Sequence, residues 1–232
     1  MLNYQDFGLK EGYLYEIIAT TYSISEINKE IKPHASCMGI RLIEGGQIQI
    51  SPYYSTITYK NLKKYNTIAI NFVDDVYLYA LAALKEPNSL FNLTEFPLKY
   101  YNFKYLESRF MDVPFIKKAW GILIGEVSHE IQKTKTNGLG EVNIPIFKLD
   151  VIYAERLLNT YKLFNRTENL ALEAIILTTR LKVAKENQNQ AQIIRINEKI
   201  ESYIKDIERF GYNKRALKTI KLIKKYIAQY KV

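Results

Sequence analysis

HASCMGIRLIEGGQIQISPYYSTITYKNL, residues 34–62, is the stretch whose reading decides the fold. Met38, Ile40 and Leu42 alternate with Gly39 and Arg41, and Ile48 and Ile50 alternate with Gln47 and Gln49. Gly45-Gly46 stands between the two runs. Two period-2 segments around a Gly-Gly dipeptide predict a β-hairpin, because glycine adopts the left-handed backbone of tight turns. The next segment carries Ser51, Ser55, Thr56, Thr58 and Asn61, with Lys60, Lys63 and Lys64 close by. Thr58 to Tyr65 has helical composition, with Thr56 or Thr58 as the N-cap. That order gathers N–H groups and hydroxyls at a helix N-terminus. Such an end favours anions, the dipole adding roughly 0.3–1 kcal/mol per contact. The same residues also suit an ordinary capped helix, and no Gly-rich P-loop signature is present.

Working outward, Tyr13 to Thr20 is rich in β-formers and reads as a strand, as does Thr67 to Val73. Asp74 or Asp75 can cap a short helix ending near Leu84. Residues 85–117 hold Pro87, Pro97 and Pro114, many aromatics and weak periodicity. They read as an irregular excursion with short helical pieces, and as the best candidate for a substrate-facing lid. Ala119 to Lys133 and Glu141 to Tyr153 read as long antiparallel partners, joined by a turn at Asn137-Gly138 and Gly140. About six hairpin-linked strands are expected to close into an antiparallel barrel, which removes sheet edges.

From Asn165 the period changes. Asn165 and Glu168 have capping-box spacing. Leu170, Ala174, Leu177 and Leu181 mark one helix. Ile193, Ile196, Ile200, Ile204 and Ile207 mark a second, and Leu217, Ile220, Ile223 and Ile227 a third. The expected class is therefore α+β: a barrel domain over 1–160 and a small three-helix domain over 161–232.

The 232 residues carry a net charge of +9. From Asn165 onward there are 15 Lys/Arg against 7 Asp/Glu, so +8 of that excess lies in the helical third. A basic chain favours anionic partners without specifying the fold. Lys214, Lys218, Lys221 and Lys225 form a stripe that reads as a solvated helix face or, less favoured, as a nucleic-acid contact. Cys37 is the single cysteine, which excludes an internal disulfide and a cysteine-rich metal centre. The two histidines, His34 and His129, have no metal-ligand spacing, so no metal site is expected. No apolar run of membrane-spanning length and no signal-peptide pattern occurs, so no membrane association and a cytoplasmic location are expected. Cys37 reads as a small buried hydrophobe, and most of the 19 tyrosines as packing residues.

Five segments together resemble an archaeal family of FMN-binding, flavin-reductase-like split-barrel proteins, mostly of unknown function, with a C-terminal helical tail. They are Tyr15-Glu16-Ile17-Ile18-Ala19-Thr20-Thr21, Ala35-Ser36-Cys37-Met38-Gly39, Thr58-Tyr59-Lys60-Asn61-Leu62, Asn71-Phe72-Val73-Asp74-Asp75, and Asn165-Arg166 with Leu172-Glu173-Ala174 and Thr179-Arg180-Leu181. The resemblance implies a homodimeric split barrel with FMN near the subunit interface. It implies that Ser55, Thr56, Thr58 and Asn61 hold the FMN phosphate. It also implies that Thr20, Thr21, Ser36, Cys37 and Met38 line the ring and ribityl chain. The family pattern Asn-Ala-Ala-Pro-Met-Gly is replaced by His34-Ala35-Ser36-Cys37-Met38-Gly39. The implied function is a flavin-dependent oxidoreductase of unknown substrate and redox partner. A non-enzymatic flavin or nucleotide carrier, or a nucleic-acid-binding protein working through the tail, are the alternatives.

Overall fold

The computed structural model describes residues 4–28, 30–90, 92–107, 110–137, 140–159, 165–210 and 213–229. The chain divides into two units. The first comprises Met1–Asp74, Pro97–Thr136 and Glu141–Thr160; the second comprises Asp75–Phe96, Asn137–Gly140 and Tyr161–Val232.

Six strands build the first unit: β1 (Leu14–Ile24), β2 (Ile31–Ile43), β3 (Gln47–Ile50), β4 (Thr67–Phe72), β7 (Gly121–Asn137) and β8 (Gly140–Arg156). They close in the order β1-β2-β3-β8-β7-β4. The expected antiparallel barrel is therefore the observed one. Gly45 and Gly46, at φ 80° and 74°, make the turn between β2 and β3. Alternate residues point inward: Ile17 and Ala19, Ile40 and Leu42, Ile48 and Ile50, Ile68 and Ile70 fill the interior with Phe147 and Leu149. Helix α1 (Ile57–Tyr65) packs on β1, β2 and β4 and adds Leu62 to that core. Asn66 ends the helix in the left-handed conformation, its N–H donating to the Leu62 carbonyl.

The reading of 85–117 as irregular needs correction. Its second half holds two strands, β5 (Tyr101–Leu106) and β6 (Met111–Ile116), paired antiparallel as a separate two-stranded sheet. Pro114 argued against a strand because proline breaks a ladder. Both strands of a two-stranded sheet are edges, and a proline is tolerated there. The turn around Gly138 and Leu139 lies outside the described residues.

The second unit contains α2 (Val76–Ala83), α3 (Arg166–Glu186), α4 (Gln190–Phe210) and α5 (Lys214–Ala228). Asp75, not Asp74, caps α2, its carboxylate accepting from the Tyr77 N–H. Asn165 caps α3 by accepting from the Glu168 N–H at 3.2 Å. The buried stripe of α3 runs through Thr167, Ala171, Ala174, Ile175, Thr178, Leu181 and Ala184, while Leu170 and Leu177 are only half-buried. α3 packs against α2, α4 and α5. On α4 the buried stripe is Ile196, Ile200, Ile204 and Ile207, four of the five positions that the spacing marks, while Ile193 is half-buried. Among the described residues, no helix is long and apolar enough to cross a membrane.

Candidate functional site

Thr56 organises the start of α1. Its hydroxyl accepts from the Tyr59 N–H at 3.2 Å and donates to the Tyr53 carbonyl at 2.7 Å. Both hydrogen-bonding capacities of that cap are therefore used within the loop. The N–H groups of Ile57 and Thr58, in the first turn, have no carbonyl available inside the helix. Ser55 is exposed beside them, and Thr56 is half-buried. Lys60 is exposed on the same helix. Lys63 donates to Glu130 at 2.7 Å, and Lys64 lies 3.7 Å from Glu26. The lysine nearest the first turn thus keeps its charge available, while the later two face acids.

Thr58 and Asn61 point the other way, into the protein, with Leu62. The Ser36 and Thr58 hydroxyl oxygens are 2.8 Å apart. Asn61 Nδ2 donates to Thr21 Oγ1 at 3.0 Å. Four of the residues expected at a flavin site therefore meet directly, two from the phosphate group and two from the ring group. Two hydroxyls that share one hydrogen bond retain one O–H for a further acceptor. Met38 packs against the barrel core, and the pleat sends half-buried Cys37 to the opposite face of β2.

Thr20 stands apart from this group. It follows Ala19 and precedes Thr21 on β1, so its side chain leaves from the face opposite to Thr21. Its hydroxyl donates to the Pro114 carbonyl at 2.6 Å and accepts from Asn71 Nδ2 at 3.1 Å. Asn71 is fully buried and also donates to the carbonyls of Ile18 and Ala69, at 2.8 and 3.1 Å. Its Oδ1 accepts from the Ile116 N–H at 2.7 Å. One amide side chain thus joins β1, β4 and β6. The sequence offered Asn71 as part of a motif but gave it no role; a polar residue inside the apolar run TIAINFV was the available signal.

Two polar clusters were not anticipated. Tyr59 donates to Glu130 at 3.3 Å, on the carboxylate that Lys63 also binds. Burial raises the Tyr59 phenol, and the Glu130 charge raises it further. Tyr54 packs edge-on against Tyr59, with ring centres 5.0 Å apart. Its hydroxyl is buried without a hydrogen-bond partner among the described residues. On β5 and β8, Lys104 lies 3.1 Å from Glu155 and over the Tyr153 ring at 4.5 Å, while Tyr153 donates to Glu155. The Tyr153 hydrogen bond, reinforced by Lys104, holds the Glu155 carboxyl below its ordinary value. Hydrogen bonding to Tyr153 and Glu155 raises Lys104. Long-range pairing places these residues together, so no local spacing announces them.

The helical unit has an open concavity of 380 Å³ lined by Asn165, Arg166, Thr167, Phe210 and Asn213. None of the expected flavin residues lines it. The start of α1 holds the better-defined donor set.

Residues 15–157 match the N-terminal domain of DUF447, a family described as a protein of unknown function. The chain belongs to the DUF447 family. An FMN-bound DUF447 protein from Methanosarcina mazei shares the fold at a TM-score of 0.72 and 21% identity, over 97% of this chain and 100% of that one. The flavin reductase of styrene monooxygenase from Pseudomonas putida S12 is similar at a TM-score of 0.44 and 14% identity, over 66% of this chain and 84% of its own. Flavoredoxin of Desulfovibrio vulgaris (Miyazaki F) also reaches 0.44 and 14%, over 61% and 68%. No curated protein matches the chain. The DUF447 match thus spans the six barrel strands, the separate β5–β6 pair and helix α1, and the split-barrel class with C-terminal helices is established.

Proposed function

We propose that this DUF447 protein binds FMN at the start of α1 and works as a flavin-dependent oxidoreductase. The observation that carries the reading is the donor set there: exposed Ser55, the first-turn N–H groups of Ile57 and Thr58, which have no acceptor within the helix, and the O–H left over by the Ser36–Thr58 pair. A phosphate monoester needs several such donors and a local positive potential. The FMN bound by the Methanosarcina mazei relative supports assigning that anion to a flavin.

In this reading Ser55, Thr58 and the α1 backbone bind the phosphate. Thr56 holds the loop in shape through its cap, and Asn61 positions Thr21. Ser36 and Met38 share one face of β2 and border the ribityl chain and ring, whereas Cys37 leaves from the other face. Thr20 belongs to the support layer, since Pro114 and Asn71 already engage its hydroxyl. Bound FMN supplies the electron transfer, and the chain supplies position and electrostatics. In this reading a second copy of the chain is the partner.

The absorption spectrum of the purified protein, with and without added FMN, tests the assignment. Flavin bands that co-elute with the protein are expected. Protein that stays colourless and leaves added FMN fluorescence unquenched overturns it. Flavin reduction by NADH or NADPH that the protein accelerates identifies an enzyme; uptake without turnover identifies a carrier. Light scattering is expected to give the mass of two chains.

A further inference from the structure

Helices α4 and α5 arrange charge differently. α4 mixes Arg195, Lys199, Lys205 and Arg209 with Glu198, Glu201, Asp206 and Glu208. α5 carries Lys214, Arg215, Lys218, Lys221, Lys224 and Lys225 and no acid. Its inner face, through Ala216, Thr219, Ile220, Ile223 and Tyr226, is buried in the helical unit. Lys214, Lys218, Lys221 and Lys225 recur at steps of four, three and four and are all exposed. At 1.5 Å per residue they form one stripe about 16 Å long.

Local helix energetics oppose this arrangement. Like charges three and four residues apart repel, and no acid interrupts them. Lys214 and Arg215 occupy the first turn, where the dipole disfavours cations. Neighbours neutralise only part of the set. Lys224 pairs with Glu208 at 2.6 Å, Arg215 lies 3.9 Å from Asp75, and Lys218 covers the Tyr77 ring at 4.2 Å. Lys214, Lys221 and Lys225 have no acid within salt-bridge distance among the described residues. A solvated face gains from alternating signs, as on α4; a face of one sign gains only when an anion is brought to it.

The chemistry of the face selects the anion. Burial of the apolar stripe leaves nothing to insert into a bilayer. Burial of Tyr226, the described aromatic of α5, leaves no platform for stacking unpaired bases. Regularly spaced ammonium groups on a rigid rod remain, and they match a regular row of phosphates. We propose that the exposed face of α5 is a sequence-independent binding surface for duplex nucleic acid. The proposal stands apart from the flavin reading, since it uses none of the residues at α1.

The test uses the full chain and a fluorescent DNA duplex of about 24 base pairs, followed by anisotropy from about 50 to 200 mM salt, a range over which phosphate contacts weaken steeply. One variant carries Lys214→Gln, Lys221→Gln and Lys225→Gln; a charge-matched control carries Arg195→Gln, Lys199→Gln and Lys205→Gln on α4. A third carries Lys→Arg at the three α5 positions, and circular dichroism confirms that all are folded. The α5 glutamine variant is expected to lose at least about tenfold in affinity, and its salt slope to fall by about 3 for three lost contacts. The control and the arginine variant are expected to bind as the parent does. Absence of binding at low salt overturns the proposal. So does equal loss in both glutamine variants, or capture on phosphatidylserine vesicles without duplex binding.

Discussion

Ser36 and Thr58 meet hydroxyl to hydroxyl, 2.8 Å apart, where β2 passes the first turn of α1. Thr58 is 1% exposed, so its hydroxyl answers to the protein or to a ligand and not to bulk water. Thr58→Val keeps the branched shape and removes the O–H. The expected cost to folding is about 1 kcal/mol, the net value of one buried hydrogen bond, read by urea unfolding. FMN binding is expected to weaken by about tenfold or more, since a hydrogen bond to a charged phosphate is worth about 1.5–3 kcal/mol. Fluorescence titration checks this. Unchanged affinity with the expected loss of stability would remove Thr58 from the phosphate site.

Asn71 is the more consequential buried amide. Replacing it by leucine leaves the Ile116 N–H without its 2.7 Å acceptor and the Thr20 hydroxyl without its donor. Buried polar groups left unpaired cost about 1–3 kcal/mol each, so Asn71→Leu is expected to destabilise by about 3 kcal/mol. The loss is expected in the urea midpoint. Proteolysis is expected to attack β5 and β6 first, because the Asn71–Ile116 bond is one of the side-chain ties that hold β6, beside the Thr20–Pro114 bond from β1.

The contrast between Thr20 and Thr21 shows what the sequence could and could not convey. Both sit in one β-forming run, and alternation says only that they face opposite ways. Which face meets α1 depends on Asn61, 40 residues later, and which face meets β6 depends on Pro114. β2 and β3 were legible because each carries its own period, whereas β1 and β4 were legible from their β-forming residues, β4 being buried at all six positions. Gly45-Gly46 likewise announced its hairpin locally. The β5–β6 pair was not legible, because Pro114 and irregular burial hide the period of an edge strand. On α3 Ala174 and Leu181 fall on the buried stripe as expected, but Ala171, Ile175 and Thr178 are buried where Leu170 and Leu177 are only half-buried. The start of α1 was read well, since Thr56 caps it through contacts within three residues. The Lys104–Tyr153–Glu155 cluster needed the folded chain.

That cluster makes a pH-dependent contribution whose sign is set by two opposite shifts. Glu155 is held below its ordinary value, so its contribution is complete above the unfolded-state value and is lost as pH falls through the folded one. Lys104 is raised, so its contribution is complete below its unfolded value and is lost as pH rises through the folded one. Between those limits the pair stabilises fully. The two side chains are 34% and 38% exposed, so solvent screens them and the benefit is held to about 1 kcal/mol or less. Glu155→Gln is expected to lower stability near neutral pH by that amount and to match the parent in acid. Urea unfolding across pH checks it; a difference that persists in acid would place the effect elsewhere.

Glu86 plays the corresponding part in the helical unit. Its carboxylate accepts from the Tyr226 hydroxyl at 2.6 Å and from Gln229 at 3.1 Å, and it lies 2.7 Å from the Lys182 ammonium. One side chain, 15% exposed, therefore links the segment after α2 to α3 and α5. Glu86→Gln keeps the shape but replaces one acceptor oxygen with a donor that faces another donor. Breaking one side of a largely buried, charge-assisted set is expected to cost about 2–3 kcal/mol. Lys182→Met is expected to cost less, because the carboxylate keeps two neutral donors and some access to water. Urea unfolding of both variants orders the two effects. Hydrogen exchange is expected to rise in α2 and the end of α5 while β1, β2 and α1 keep their protection. Equal loss of protection in the barrel strands would mean that the two units unfold as one.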